Sequence, residues 1–360
     1  MWETIQVETE EKPYAIHISP GQVVDLKMTG LEKTLSEKRW VLITDREVNS
    51  LYPHVTAGFP CNLLDVITLR PGEASKNLQQ VSEVLETLAI KGLRRQDGLI
   101  ALGGGVVGDI AGFCASIYMR GIDWIQVPTT LLAQVDSSVG GKTGVNLSSG
   151  KNLAGSFYQP LSVWIDPRFL ETLSEPEFNG GLGEVIKYGL IEGDFLRTWI
   201  RDRWEQIRTR DPVIMTELIG QCLRSKARIV AADEKETGLR KVLNVGHTIG
   251  HAIERAMDYQ ITHGEALRQG MLVELELGSL MGVIPHHAAQ NWKQFVKLIP
   301  VTTQIPELDP RILLRAMAGD KKNRDQQISF LFPKEEGGAV EKRVDPEVLM
   351  EMLGSMNPDR

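Results

Sequence analysis

The sequence predicts an α/β N-terminal domain of Rossmann-like type with a mainly parallel sheet, followed by a mostly α-helical C-terminal domain. Three observations lead there. Short apolar runs alternate with stretches of helical periodicity through the first half of the chain, the pattern of strand–helix–strand units. Those runs are apolar at successive residues, as strands covered on both faces are. Past residue 175 the strand signals thin out and helical stretches replace them. At 360 residues the chain also exceeds the roughly 250–300 at which one core stops growing. Two domains are therefore expected, 1–175 and 176–360, with the active site in the cleft between them.

Taken in order, "RWVLITD" (39–45) is strand-like and ends in a turn signal. "LLDVITL" (63–69) is a second strand, closed by Pro71 and Gly72. Leu78, Val81, Leu85, Leu88 and Ala89 then recur at helical spacing. "GLIALGGG" (98–105) is a continuous apolar strand running into glycines, and "IDWIQVPTT" adds a strand with Pro128 at its exit. The Pro/Gly-rich segment around residue 175 marks the boundary. Beyond it, "LIGQCLRSKARIVAADE", "HTIGHAIERAM", "GEALRQGMLVELELGSLMG" and "DPRILLRAMAGDKKN" read as helices, and "QQISFLFPKEEGGAVEKRV" as a late hairpin.

Composition narrows the function classes. A formal charge of -7 argues against a non-specific nucleic-acid binder. Cys61, Cys114 and Cys222 stand far apart and form no C-x-x-C unit, which fits a reduced, cytoplasmic protein. The acidic N-terminal residues lack the apolar core of a signal peptide. No stretch reaches the roughly 20 apolar residues a membrane span needs, so no membrane partner is expected.

"IALGGGVVGDIAG" places Gly103, Gly105 and Gly108 in a G-x-G-x-x-G pattern after a strand. Glycines there let the backbone approach a pyrophosphate at a helix N-terminus. A tight packing turn between strand and helix would need the same glycines, and the motif follows two earlier strands instead of opening the domain. Asp45, ending the first strand, has the chemistry to accept hydrogen bonds from a ribose. In "TTLLAQVDSSVGGKTGVNLSSGKNLAGSF", Lys142 and Lys151 lie among small residues, flanked by Asp136 and Asn152. An exposed loop accounts for the glycines and serines; two separated lysines suit a phosphate or carboxylate better. "GGKTG" is no P-loop, because Val135 stands where the first glycine belongs.

Three histidines cluster within 17 positions. His247 and His251 in "LNVGHTIGHAIERA" are one turn apart, and His263 follows in "ITHGEALRQG". Residues i and i+4 share a helix face, so His247 and His251 have the spacing to clamp one zinc ion. "HTIGH" lacks the glutamate of a zincin protease. Glu265 and Glu254 lie close in sequence, and spacing alone leaves the ligand set open. "GGLGEVIKYG" puts Glu184 and Lys187 one turn apart; a surface ion pair of that kind contributes ~0.3–0.5 kcal/mol. The glycine-lined, apolar setting favours a site instead. Lys226, Arg228, Arg240, Lys321 and Lys322 add cations suited to an anionic substrate.

With these residues assembled, the chain resembles the 3-dehydroquinate synthases. The resemblance rests on "GEASK", "LGGGVVGDIAGF", "RGIDWIQVPTTLLAQVDSSVGGKTGVN", "GKNLAGSFYQP", "GEVIKYG", "LNVGHTIGHAIE", "HGEA" and "DKK", in family order from residue 73 to 322, with Asp45 before them. It implies a dehydroquinate synthase-like fold, NAD, and one divalent metal, zinc or cobalt. By resemblance the metal ligands are Glu184, His247 and His263, while His251 serves acid–base and substrate chemistry. The NAD residues implied are Asp45, Glu73, Lys76, Gly103, Gly104, Gly105, Asp109, Thr129, Thr130, Asp136, Lys142, Lys151, Thr172 and Leu173. Those on the substrate side are Lys142, Lys151, Asn152, Lys187, Lys226, Arg240, Asn244, His251 and a lysine of the Lys321–Lys322 pair. Arg120 matches an arginine that reaches the neighbouring subunit's substrate phosphate, so a homodimer is implied.

The activity implied is conversion of 3-deoxy-D-arabino-heptulosonate 7-phosphate to 3-dehydroquinate and phosphate, a lyase step of the shikimate route to chorismate and the aromatic amino acids. The chain departs from the family at Leu147, where many members have histidine, and at Gly183, where alanine is common. A sister sugar-phosphate cyclase would share the apparatus but differ at a few pocket positions. A metal-dependent polyol dehydrogenase would release NADH at each turnover. A non-catalytic nucleotide-binding scaffold would have no use for lysines in glycine-rich loops.

Overall fold

Leu99, Ile100, Ala101 and Leu102 are all buried, and they alternate between two cores. Leu99 and Ala101 join Val41, Ile43, Ile110 and Trp124 on one face of a sheet. Ile100 and Leu102 join Trp40, Leu42, Ile125 and Val127 on the other. The two-residue period is what makes the strand read as an unbroken apolar run. In this computed structural model the described residues are 3–10, 12–27, 32–301, 303, 309–318 and 327–356.

Among the described residues nine strands occupy the first half: β1 Glu3–Val7, β2 Tyr14–Ile18, β3 Arg39–Asp45, β4 Asn62–Leu69, β5 Gly98–Gly103, β6 Asp123–Pro128, β7 Lys142–Leu147, β8 Gly150–Phe157 and β9 Ser162–Ile165. Seven of them form one sheet in the order β1-β2-β9-β6-β5-β3-β4. From β2 to β4 every pairing is parallel, and only the edge pair β1–β2 is antiparallel. The short β1 and β2 are absent from the sequence reading, since five residues each give too brief an alternation. Parallel pairing brings Asp45, Gly103 and Pro128, at the C-terminal ends of β3, β5 and β6, to one edge. In open α/β sheets that edge is where ligands bind.

The glycine- and lysine-rich stretch weighed as a loop is instead an antiparallel hairpin, β7–β8. Its glycines are required by packing: a Cβ on Gly155 would lie 2.1 Å from the Thr143 carbonyl oxygen.

The chain divides into two compact units, Met1–Leu173 with Gln206–Glu236, and Ser174–Glu205 with Thr237–Arg360. This differs from a single linear boundary at residue 175. The difference comes from the long helix Pro212–Ala232, which packs on β1 in the first unit. Lys226, buried on that helix, pairs with Asp136 Oδ1 at 2.9 Å and donates to the Asp136 carbonyl at 2.6 Å. The second unit is mainly helical, with β10 Ile328–Pro333 and β11 Ala339–Val344 as the expected late hairpin. Three of its helices carry the residues of interest: α1 Glu175–Glu192, α2 His247–Ala256 and α3 His263–Leu280.

These helices touch through glycine. A Cβ on Gly264 would sit 2.1 Å from the Gly180 carbonyl oxygen, and one on Gly270 would sit 2.3 Å from that of Gly246. Side chains at either position would force α3 away from α1 or α2.

Candidate active site

α1, α2 and α3 converge on a carboxylate and two imidazoles. His263 Nε2 lies 3.0 Å from Glu184 Oε1, and His247 Nε2 lies 3.5 Å from the same oxygen. The ligand-capable atoms of Glu184, His247 and His263 all fall within 4.8 Å of one another. A carboxylate with two neutral imidazoles is a donor set suited to zinc and related ions, with room for substrate at an open position. These residues therefore fit a divalent metal. Lys187, 1% exposed, pairs with Glu184 through Oε2, a buried ion pair and not one of the surface type, as the glycine-lined, apolar setting suggests.

The His251 ring lies 5.2 Å from that of His247 and 6.1 Å from that of His263. His251, Glu254 and His263 form a second group of potential ligands within 4.8 Å. The i, i+4 spacing thus places both α2 histidines beside one centre, and His263 is common to both groups.

Glu265 has another occupation. Thr262 caps α3 and donates to Glu265 Oε2 at 2.9 Å, while the Glu265 amide donates back to Thr262 Oγ1. The "THGE" stretch is a capping box. The N-cap of α2 is Gly246, whose φ of 81° and closeness to Met271 both require glycine, so the helix N-terminus carries no side-chain cap of its own. Buried Glu274 of α3 supplies one, accepting from the amides of Gly246 at 2.8 Å and Ile249 at 3.0 Å. A carboxylate at that end also offsets the helix dipole. Glu274 escaped the sequence reading because nothing in "VELELG" distinguishes it from a solvated glutamate.

Burial favours the neutral form of Glu184, but Lys187 and the two histidines outweigh it and hold the carboxyl well below its ordinary range. Burial pushes His247 down, which keeps it neutral and able to ligate. Burial also acts to lower His263, but hydrogen bonds and charge from Glu184 and Glu254 prevail, raising it to about 10. At pH 7 His263 without metal therefore carries a proton, and ion uptake must expel it. Metal binding should release one proton, and apparent affinity should rise about tenfold per pH unit between roughly 7 and 9. Titration calorimetry in buffers of different ionisation enthalpy checks the count. Uptake without proton release would contradict this arrangement.

In the first unit, the helix Gly105–Ile117 starts at Gly104 with no side-chain cap. A Cβ on Gly103 would strike Val107, and one on Gly108 would lie 2.8 Å from Gln126 Oε1. The motif's glycines thus serve close helix–sheet packing as well as the turn. Thr129 donates its amide to Gly103, and Thr130 Oγ1 accepts from Ala133. Asp45 caps the next helix, Arg46–Leu51, through Oδ1. Lys76 joins Asp109 at 2.5 Å and donates to Asn152 Oδ1 at 2.6 Å; Glu73 accepts from Asn146 at 2.7 Å. Burial raises Asp109 above the usual carboxylate value despite Lys76. Thr172 Oγ1 meets the Tyr52 hydroxyl at 2.8 Å, and the unit's first segment ends at Leu173. The uncapped, glycine-lined helix start at the ligand-binding edge fits a dinucleotide.

Other predicted residues fall as follows. Lys142 pairs with Glu236, an acidic residue of "DEKETG" that the sequence reading passed over. Lys151 and Asn152 lie in β8, the latter at φ 54°. Arg240 is buried and Asn244 partly buried on a 3-10 turn leading into α2. Arg120 is exposed at φ 68°. Lys321 and Lys322 lie outside the described residues. Among the described residues no helix is long and apolar enough to cross a membrane.

Comparisons with known proteins agree along the whole length. The 3-dehydroquinate synthase N-terminal family matches residues 66–180, and the 3-dehydroquinate synthase C-terminal family matches residues 181–323. The 3-dehydroquinate synthase of Alkaliphilus metalliredigens is 45% identical over 356 residues, covering 98% of each chain. That of Halorhodospira halophila is 41% identical over 349 residues, covering 96% of this chain and 98% of its own. Among solved structures, a 2-deoxy-scyllo-inosose synthase complexed with carbaglucose-6-phosphate, NAD+ and Co2+ superposes with a TM-score of 0.86 at 25% identity, over 98% of this chain and 99% of that one. The 2-epi-5-epi-valiolone synthase of Streptomyces hygroscopicus, with NAD+ and Zn2+ bound, gives 0.84 at 25%, over 97% and 98%.

Proposed function

This chain belongs to the 3-dehydroquinate synthase family, and from that premise we propose that it converts 3-deoxy-D-arabino-heptulosonate 7-phosphate to 3-dehydroquinate and inorganic phosphate. The observation that carries the reading is the meeting of Glu184, His247 and His263, with His251 on the same helix face as His247. When bound, NAD supplies a transient oxidation at C5 of the sugar, and the divalent metal polarises the neighbouring oxygens.

In this reading Glu184, His247 and His263 hold the ion. Lys187 keeps the Glu184 carboxylate ionised and faces the substrate hydroxyls. His251 moves protons at the substrate oxygens, within reach of both ligand rings. Asp45, Glu73, Lys76, Asp109, Thr129, Thr130, Asp136, Thr172, Leu173 and the Gly103–Gly105 turn hold the dinucleotide. Lys142, Lys151, Asn152, Lys226, Arg240, Asn244 and one of Lys321 and Lys322 orient the phosphate and carboxylate, lowering the entropic part of the barrier. A C5 ketone makes the C6 proton acidic, so phosphate leaves by elimination. After C5 is reduced again, the ring opens and an intramolecular aldol step closes the carbocycle. Arg120, exposed on its strained turn, completes the site of a second copy in a cytoplasmic homodimer.

The test supplies the heptulosonate phosphate with catalytic NAD and zinc. Phosphate and dehydroquinate should appear in equal amounts with no net NADH. Phosphate without dehydroquinate would place the chain with a sister cyclase, and stoichiometric NADH with a dehydrogenase.

A further inference from the structure

We propose that Glu254 is a positioning residue for the metal centre, holding the His263 ring so that Nε2 is aimed at the ion. This deepens the metal reading above and rests on it. The two nitrogens of His263 face different carboxylates: Nε2 lies 3.0 Å from Glu184 Oε1, and Nδ1 lies 3.6 Å from Glu254 Oε1. Glu254 is 5% exposed, an unusual place for a carboxylate without an electrostatic task. It follows His247 by seven residues and His251 by three, so all three side chains share one face of α2.

His247 shows the same construction with a different acceptor. Its Nε2 faces Glu184, while its Nδ1 meets the Val245 carbonyl oxygen at 3.2 Å. Each ring thus has an acceptor at Nδ1, which places the proton there and leaves the Nε2 lone pair for the ion. A carboxylate in that role also makes the ring a stronger donor to the metal than a carbonyl does. The 3.6 Å contact is an ion-pair distance; giving Nε2 to the ion leaves Nδ1–H to donate to Glu254, and the contact closes to a hydrogen bond. The alternative assignment makes Glu254 a ligand itself, with His251 and His263. That arrangement would turn His263 Nδ1 to the ion and leave Glu184 without one.

Glu254→Ala and Glu254→Gln distinguish these, using the full-length chain stripped and reloaded with zinc or cobalt. With Ala, zinc affinity by chelator competition should fall about 10–100-fold, and the visible bands of the cobalt form should shift. Gln keeps an acceptor without the charge, so it should fall between, with roughly threefold to tenfold weaker zinc. Thermal unfolding of the metal-free proteins separates a folding defect, and if Ala does not fold, Gln decides. Wild-type affinity and an unchanged cobalt spectrum in the folded variants would overturn the proposal. Stoichiometric loss of metal in both, equal to that of His263→Ala, would overturn it in favour of a ligand role. A wild-type chain that binds no zinc would overturn the metal reading as well; one that binds zinc and releases dehydroquinate leaves this inference to stand or fall alone.

Discussion

His263→Ala should strip the metal from the protein, while His251→Ala should keep it and still turn over slowly. His263 faces Glu184 directly, at 3.0 Å, and stands in both groups of candidate ligands. Removing it leaves at most two donors in either group, too few to retain an ion through dialysis. Loss of the ion's charge stabilisation should lower kcat roughly 10³-fold, several kcal/mol of barrier. In the proposed reading His251 transfers protons and does not hold the ion, so its loss should slow turnover and spare the metal. Its kcat should fall by roughly 10²–10⁴-fold with metal content near one per chain. Elemental analysis beside steady-state kinetics checks both. Equal metal loss in the two variants would mean that His247 and His251 clamp the ion between them after all.

The second large effect concerns a residue with no functional group. Gly264→Ala should lower the thermal midpoint by roughly 5–10 °C and weaken metal binding with it. Its Cβ would lie 2.1 Å from the Gly180 carbonyl oxygen and 2.3 Å from the Gly180 Cα, all backbone, so no rotamer change relieves it. α3 would have to move off α1, carrying His263 away from Glu184. Two controls grade the argument. At Gly183 a Cβ would stand 3.1 Å from Gly264 Cα, a contact removable by a shift of a few tenths of an ångström. Alanine there should cost little. At Gly180 a Cβ meets nothing within 4 Å, so alanine should be neutral or stabilise by about 0.5–1 kcal/mol through helix propensity. Differential scanning fluorimetry on the three variants reads the series, and an equal effect in all three would refute the steric account.

Much of this molecule is legible without coordinates. β3, β5 and β6 follow from apolar runs and turn residues, because parallel strands buried on both faces admit little else, and the half-buried edge strand β4 follows from its apolar run and the Pro71–Gly72 turn after it. The late hairpin follows from "ISFLFP" and the paired glycines after it. What local pattern cannot give is pairing between distant residues. The lysine-rich stretch Lys142–Phe157 lacks apolar alternation, and its strands exist because glycine lets β7 and β8 close on each other. The helix Pro212–Ala232 looks like any other of the C-terminal half, yet joins the first unit through Lys226, Asp136 and its packing on β1. Glu236 and Glu274 read as solvated acids until their partners are seen, and Glu254 lies near the histidines in sequence without a role that spacing can assign.

The sequence by itself determined the chemistry available: an imidazole pair one turn apart, a third imidazole and a glutamate on other helices, a glycine turn after a buried strand, and cations for an anionic substrate. Helical period fixed that His247, His251 and Glu254 share a face, since backbone geometry alone sets that relation. Only the tertiary structure decided what each one faces. Glu184 lies 63 residues before His247 and 79 before His263, and nothing local couples them. The approach of α1, α2 and α3 at Gly180, Gly264, Gly246 and Gly270 sets those distances. It places Glu184 between the two rings, and leaves Glu254 behind one of them.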